Sequence, residues 1–324
     1  MGRRAPACRL LFIPKPGDHV AASDESRMTL QRRYSLIGMV LIAPTVLILT
    51  AVIVYPLVSA IYLSFFSIYT PTLQGKWVGL GNCAAILGGK YFWFALWTTV
   101  IWTAGTLVLQ VLLGVGMALL LNQNIWFRSL ARSLVLFPYF VSTVVAVLVW
   151  RWLFNDLYGL LNHLLIRTGV VDMPVDWLGQ MPNAMLSVIT VGAWKFFPFV
   201  VIAVLARLQT IPEHLYEAAK IDGASPWDRF RLITLPLMRN SILLVLVLNV
   251  TSSMLAFDQF FIITQGGPQN STISAVFSIF LASFTSYRLG YGSALSLTLL
   301  VGLALAGWRH PLAFSAPLVL MGIG

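Results

Sequence analysis

Long apolar stretches without a charged side chain recur along the chain and are separated by shorter polar segments. Five of them contain no Asp, Glu, Lys or Arg: residues 34–75, 91–127, 133–150, 240–257 and 289–308. A sixth stretch, 184–206, carries a single charge at Lys195. Because a helix crosses ~30 Å of hydrocarbon with roughly 20 apolar residues, this pattern predicts about six transmembrane helices.

The predicted spans are Leu36–Ser64, Phe94–Leu121, Leu134–Phe154, Ala184–Ala206, Ser241–Ile263 and Gly290–Trp308. Barrel strands would alternate apolar and polar positions, whereas these runs are continuously apolar, so an all-α integral membrane fold is expected.

Three regions follow from this pattern. Residues 34–308 form the transmembrane domain, and residues 1–33 form a basic cytoplasmic tail that we expect to be disordered. Translation starting at Met1 or at Met28 fits equally, since a basic flank and the first span also follow Met28. Residues 309–324 are an apolar C-terminal tail that is too short to cross and receives no function.

Composition agrees with the pattern, because 58% of residues are hydrophobic and 10% are charged. Basic residues are retained on the cytoplasmic side of a membrane. With a cytoplasmic N-terminus, 15 of the 21 Lys and Arg residues lie inside and 5 lie outside. Both termini and the 207–240 segment are therefore predicted to be cytoplasmic. Topology explains the net charge of +10, so no nucleic-acid partner is indicated.

The sequence gives little support to an enzyme. Its four histidines are scattered, and its two cysteines, Cys8 and Cys83, fall on opposite sides, so no catalytic residues, metal site or disulfide are expected. A nucleotide-binding loop needs Gly, four residues, Gly-Lys and a hydroxyl residue. The segment ending Gly89-Lys90 has Ala84 and Tyr91 at the first and last of these positions. No cofactor is expected in this chain.

The charged segment 210–236 lies between two long apolar stretches and carries helix signals. Thr210 at a cap, Pro212 at an early position and Glu213 in the first turn predict a helix over 212–222 that stops at Gly223. Ser225 is expected to cap a second short helix, with Asp228 in its first turn. One face of the first helix carries Leu215, Ala218, Ala219 and Asp222, and its two alanines allow another surface to approach closely. The alternative is a loop that folds over its own helices.

The spacing Glu217-Ala218-Ala219, Gly223, Ile233 and Leu235-Pro236 resembles the cytoplasmic loop of permease subunits of ATP-binding-cassette importers. Two further segments resemble the carbohydrate-uptake branch, of the maltose and glycerol-phosphate type. They are Trp150-Arg151-Trp152-Leu153-Phe154-Asn155 with Tyr158-Gly159-Leu160-Leu161-Asn162, and Phe257-Asp258 followed by Gln265-Gly266-Gly267-Pro268 and Thr272.

The resemblance implies a sugar-importer subunit in a bacterial-type inner membrane. Its implied partners are a second, homologous permease, a dimer of ATPase subunits that bind ATP and Mg, and an extracytoplasmic sugar-binding protein. The residues implied to couple to the ATPase are Glu217, Ala218, Ala219, Asp222, Gly223, Ile233, Leu235 and Pro236.

Polar residues inside the spans are candidates for the sugar pathway. Lys195 is costly in a membrane unless it lines a cavity or is paired, and a structural lysine reaching a backbone carbonyl is an equal alternative. Asn249, Ser252, Ser253 and Gln259 follow one side of the fifth helix, where they could bind a sugar or pack against another helix.

Residues 273–284 have an amphipathic helical period and are expected at the outer surface. Two rival functions stay open. A secondary transporter would need ionisable groups inside the membrane, and Lys195 is the only one deep in a span. A membrane scaffold without transport activity fits the composition but does not explain the spacing around Glu217.

Overall fold

A computed structural model describes residues 18–72, 74–123 and 126–309, and the chain divides into two compact units, residues 1–59 and 60–324. The predictions for residues 1–17 and 310–324 lie outside the described residues.

The first unit contains helix α1, Asp18–Leu49, a π-helical turn, Thr50–Val54, and the beginning of α2, Tyr55–Ser64. The predicted first span, Leu36–Ser64, is confirmed by the apolar helical stretch Tyr34–Ser64. Residues 18–33 belong to the described helix α1, and the disorder expected for the tail stays a prediction. Pro56 has no N–H and its ring clashes with the carbonyl four residues earlier, which accounts for the widened turn just before it.

The second unit is mainly helical. Its helices after α2 are α3 Gly81–Gly88, α4 Lys90–Asn122, α5 Arg128–Phe140, α6 Thr143–Leu153, α7 Leu160–Arg167, α8 Asn183–Leu208, α9 Glu213–Ile221, α10 Pro226–Arg229, α11 Leu235–Met254, α12 Ala275–Phe280 and α13 Leu289–Arg309. Three π-helical turns, Phe230–Thr234, Phe260–Thr264 and Leu281–Thr285, interrupt or extend them.

Helices α4 and α8 confirm the second and fourth predicted spans, and α12 with its π-helical turn falls in the predicted amphipathic segment. Four helices of the described residues are long and apolar enough to cross a membrane. The sixth predicted span lies within α13, which has 21 residues. A count of six crossing helices is therefore a prediction that goes beyond these four.

The third predicted span, Leu134–Phe154, is not one straight helix. Helices α5 and α6 meet at an angle of 97°, and together they would make a fifth span. Pro138 lies inside α5, and the extended conformation of Val141 and Ser142 separates the two helices. Continuous apolarity does not reveal this break, because both halves of the pair are apolar.

The fifth predicted span, Ser241–Ile263, is also too long. Helix α11 ends at Met254, and Phe260–Thr264 forms a separate π-helical turn. Neither proline nor glycine lies between Met254 and Phe260, so the sequence offers no conventional stop signal there.

A short antiparallel hairpin is an element that the sequence analysis missed. Strands β1, Phe66–Tyr69, and β2, Gln74–Trp77, pair with Phe66 opposite Trp77 and Tyr69 opposite Gln74. Strand β1 lies at the end of the first charge-free interval, and each strand has only four residues, too few for a two-residue period to stand out.

Helices α4 and α8 form the centre of the second unit and approach closely at glycines. A Cβ on Gly192 would lie 2.1 Å from the ring of Trp102, and one on Gly114 would lie 2.5 Å from Val200. Small residues let membrane helices pack backbone to backbone. The Trp102 ring is buried and its Nε1 donates to the Ser253 carbonyl oxygen of α11 at 3.0 Å, so Trp102 links three helices.

Candidate functional site

The exposed elbow formed by residues 213–229 is the strongest site candidate. Helix α9 ends at Ile221, and Gly223 has a φ of +78°, a left-handed conformation that glycine adopts without steric cost. A side chain at Gly223 would meet nothing within 4 Å, so the turn requires glycine for its backbone angle and not for space. The predicted stop at Gly223 is confirmed.

The second half of the elbow begins with a reciprocal cap. The Ser225 hydroxyl oxygen accepts from the Asp228 N–H at 3.2 Å, and the Asp228 carboxylate accepts from the Ser225 N–H at 3.1 Å and from its hydroxyl at 2.5 Å. This capping box opens α10 as predicted. The hydrogen bonds from the Ser225 hydroxyl and N–H lower the pKa of Asp228.

The start of α9 differs from the prediction. Pro212, not Thr210, occupies the cap position, and its backbone is extended, with a ψ of 132°. The Thr210 hydroxyl instead donates to the Arg207 carbonyl oxygen at 2.8 Å. A threonine so close to the end of α8 satisfies that helix's last carbonyls, which is why it does not cap the next helix.

The predicted contact face of α9 is open to solvent. Leu215, Ala218 and Asp222 are exposed, and Ala219 is half-buried; the neighbouring Glu217 is exposed as well. Ile221 is 87% exposed and Trp227 is 65% exposed, although both are large apolar side chains in a polar segment. An exposed apolar rim beside small residues is typical of a surface that contacts another molecule.

The elbow is tied to the helices that carry it. The Tyr216 hydroxyl lies 3.0 Å from the Thr234 hydroxyl, and Arg207 Nε donates to the Leu237 carbonyl oxygen at 3.0 Å. These bonds join α9 to the π-helical turn and α8 to α11. Helix α9 is therefore hydrogen-bonded to the turn that leads into α11, and α8 and α11 are hydrogen-bonded to each other.

The remaining residues of the predicted coupling set do not lie on the elbow. Ile233 belongs to the π-helical turn, and Leu235 and Pro236 open α11. Pro236, like Pro56, follows a π-helical turn by two residues. These three residues therefore belong to the start of α11 and the turn before it.

Lys195 is buried and is held by backbone carbonyls. Its ammonium donates to the carbonyl oxygens of Pro138 at 2.8 Å and Tyr139 at 3.1 Å, and also to that of Val141. These carbonyls lie at the end of α5, where the helix leaves its last acceptors unpaired and carries partial negative charge. An ammonium has three donors, and all three are used here. The structure thus favours the alternative in which Lys195 is a structural lysine.

The polar residues of α11 do not share one environment. Asn249 and Ser253 are buried, and Ser252 is exposed with its hydroxyl bonded to the Leu248 carbonyl oxygen. Gln259 is buried but lies beyond the end of α11, so the single line of four polar residues predicted from the sequence is wrong. Asn249 and Ser253, four residues apart, are the pair that remains on one face.

Two buried polar residues of α4 were missed by the sequence analysis. Within the described part of the chain, both amide atoms of Gln110 and the hydroxyl of Thr103 are buried without a hydrogen-bond partner. They are seven residues apart and therefore share a helix face. Gln110 belongs to no spaced motif, so the sequence pattern does not single it out. The energetic cost of a polar amide inside a membrane is the signal that could have found it.

Within the described residues, the fold is that of a helical membrane protein with an exposed helical elbow between two long apolar helices. A family model described as "Binding-protein-dependent transport system inner membrane component" matches residues 110–311. The chain belongs to this family.

Curated relatives agree over most of the chain. It is 35% identical to the trehalose/maltose transport system permease protein MalF of Thermococcus litoralis, over 83% of this chain and 90% of that protein. It is 34% identical to the sulfoquinovosyl glycerol transport system permease protein SmoG of Agrobacterium fabrum, over 82% of this chain and 85% of that protein.

A solved structure supports the same fold. A chain of a bacterial ABC transporter involved in the import of the acidic polysaccharide alginate superposes with a TM-score of 0.73 at 21% identity, covering 92% of this chain and 99% of that chain. The chain is thus a multi-pass inner-membrane permease of the binding-protein-dependent type.

Proposed function

We propose that this chain is the membrane-spanning subunit of an ATP-driven sugar importer, in which it forms half of the pathway and couples to a separate ATPase. The observation that carries the proposal is the exposed elbow of residues 213–229, whose second helix opens with a capping box. The elbow presents small contact residues and is hydrogen-bonded through Tyr216 to Thr234, in the turn that leads into α11.

The sugar class is supported by relatives that cover most of the chain. The trehalose/maltose permease named above is joined by the lactose transport system permease protein LacF of Rhizobium radiobacter, which is 30% identical over 80% of this chain. Neutral disaccharides are therefore the first substrates to examine.

The elbow supplies the coupling step of the proposal. Glu217, Ala218, Ala219, Asp222 and Gly223 form the exposed part that docks in a groove of the ATPase subunit. Binding of ATP and Mg closes the ATPase dimer and moves α9. The Tyr216–Thr234 hydrogen bond passes this movement to α11, the Arg207–Leu237 hydrogen bond joins α11 to α8, and the helices rock between outward-open and inward-open forms.

The other half of the pathway comes from a second, homologous permease, and the sugar is delivered by an extracytoplasmic binding protein. We place both termini of this chain in the cytoplasm, as the excess of basic residues in the loops on that side indicates.

The sugar pathway is proposed to run beside α11. Asn249 is the leading ligand, because its Nδ2 donates to the Val245 carbonyl oxygen while a second N–H and the amide oxygen are available in an asparagine. Ser253 lies one turn further on the same face. Ser252, Gln259 and Lys195 are secondary, since Ser252 faces outward, Gln259 lies past the helix and Lys195 is used by carbonyls.

Reconstitution tests the proposal. The chain is co-purified with its partner permease, ATPase and binding protein, and placed in liposomes with ATP enclosed on the cytoplasmic side. We expect uptake of radiolabelled maltose, trehalose or lactose that requires both ATP and the binding protein. Uptake driven by an ion gradient without ATP would establish the secondary transporter instead, and no uptake of any solute with full assembly would favour the scaffold.

A further inference from the structure

A polar cavity lies where the end of α6 meets the segment before α8. It has a volume of about 650 Å³, and its polar lining comes from Arg151, Trp152, Asn155, Asp156 and Asp176. The loops before and after α7 are extracytoplasmic in the predicted topology. This cavity is thus separate from the elbow and from the polar face of α11.

Asn162 fixes one wall of the cavity. Its Nδ2 donates to the carbonyl oxygens of Asp156 at 3.1 Å and Val175 at 2.9 Å, and its Oδ1 accepts from the Val175 N–H at 3.1 Å and from Trp177 Nε1 at 3.0 Å. One buried amide thereby holds the backbone on either side of α7 together. This accounts for the Asn in the Trp150–Asn162 segment, which the coupling function leaves unexplained.

Further contacts fix Asp176 and the backbone of the cavity wall. Asn183 Nδ2 donates to the Asp176 carbonyl oxygen at 3.0 Å, and the Gly179 N–H donates to Asp176 Oδ1 at 2.7 Å. Gly159 has no room for a side chain, since a Cβ there would lie 2.2 Å from the Asn155 carbonyl oxygen. The cavity is therefore built from restrained backbone, which lowers the entropy cost of binding a ligand.

We propose that this cavity binds a neutral carbohydrate on the extracytoplasmic side, as a receiving site for sugar before it enters the pathway. Trp152 is 60% exposed and lines the cavity, which makes an apolar ring available there. The carboxylates of Asp156 and Asp176 can accept hydrogen bonds from the hydroxyl groups of a sugar, and the Arg151 guanidinium can donate hydrogen bonds to its hydroxyl oxygens. An apolar ring face beside both acceptors and donors matches a sugar, whose hydroxyls donate and accept around an apolar C–H face.

Charge and size narrow the ligand class. Two carboxylates disfavour a simple anion, and the guanidinium disfavours a simple cation. The volume lies within the ~300–1,000 Å³ typical of small-molecule sites. The inference rests on the proposed function for the identity of the solute as a sugar, but it concerns different residues and a different side of the membrane.

Fluorine NMR of the assembled importer, labelled with fluorotryptophan and lacking the binding protein, tests the site directly. The Trp152 resonance is assigned by its loss in Trp152→Phe, and maltose, trehalose and lactose are titrated separately. We expect one of them to shift this resonance saturably. Asp156→Asn and Asp176→Asn keep the shape of each side chain, and each should raise the titration midpoint about tenfold, as expected for losing a hydrogen bond to a charged group. Asp172→Asn is the matched control, because Asp172 is exposed and does not line the cavity.

The proposal is overturned if none of the sugars shifts the Trp152 resonance, or if the midpoint is the same in Asp156→Asn, Asp176→Asn and wild type. A shift that appears only when the binding protein is added also overturns it and assigns the surface to protein docking. In each of these cases, ATP-dependent sugar uptake by the same preparation would leave the proposed function intact, whereas absence of uptake despite assembly would count against that function.

Discussion

Lys195 illustrates how a single intramembrane charge can serve the fold. Burying an ammonium is costly unless it is paired, and three carbonyl oxygens around the break between α5 and α6 provide the partners. The sequence located the charge correctly and left two roles open. It could not choose between them, because the acceptors lie more than 50 residues away along the chain.

Replacement of Lys195 by methionine should destabilise the protein. The substitution leaves buried carbonyls unpaired, which costs about 1–3 kcal/mol per group. Thermal unfolding in detergent measures the loss, with Lys76→Met, an exposed lysine of β2, as the control. An unchanged unfolding temperature together with lost sugar uptake would contradict the structural role and return Lys195 to the pathway.

Gly192 is the tightest point between α4 and α8. Gly192→Ala places a methyl group against the buried Trp102 ring, and overpacking of this kind costs about 1–3 kcal/mol. Gly116→Ala is the matched control, since nothing lies within 4 Å of a Cβ at Gly116. The same unfolding measurement compares the two variants, and equal stability would mean that the helices are not in this close contact.

Whole elements were predictable where a local signal marked them. Gly223 predicts the end of α9, and the pair Ser225 and Asp228 predicts the start of α10. Both boundaries are observed. The break between α5 and α6 and the end of α11 were missed, because each lies in an apolar stretch whose composition hardly changes. The hairpin β1–β2 was missed because its strands have only four residues each. Hydrophobicity indicates the length of chain inside a membrane but not where a helix bends within it.

The capping box predicts a pH effect in the elbow. Asp228 has a lowered pKa in the folded protein, so its contribution to α10 is present above the ordinary carboxyl pKa and is lost as pH falls through the lowered value. Ser225→Ala removes the hydroxyl donor, and the Asp228 pKa should rise towards its usual value. NMR titration of isotope-labelled aspartate carboxyls measures the midpoint, with Ser225→Thr as a control that retains the hydroxyl. A midpoint that is identical in wild type and Ser225→Ala would refute the capping interaction.

At the scale of the whole molecule, the asymmetry of basic residues predicts which loops lie on each side of the membrane. In a variant with Cys8 and Cys83 replaced by serine, Asp172→Cys should react with an impermeant maleimide in intact right-side-out cells. Asp222→Cys should react only after the membrane is opened. The reverse pattern would invert the topology and place the elbow on the side where no ATPase is present.

The family could be predicted from the sequence, because the long and specific spacing that begins at Glu217 is recognisable without knowledge of the fold. The candidate sugar ligands were less accessible. Which polar side chains face the interior depends on helix rotation and on where helices end, and the structure separates Asn249 and Ser253 from Ser252 and Gln259 for these reasons.

The most direct test of the account is binding-protein-stimulated ATP hydrolysis by the assembled importer carrying Glu217→Ala or Gly223→Pro. Glu213→Ala is the matched control, because Glu213 is an exposed acid of the same helix outside the proposed contact set. The account predicts that both variants lose the ATPase during purification or lose stimulation, while Glu213→Ala keeps both. Full assembly and full stimulation in Glu217→Ala and Gly223→Pro would contradict the coupling role of the elbow.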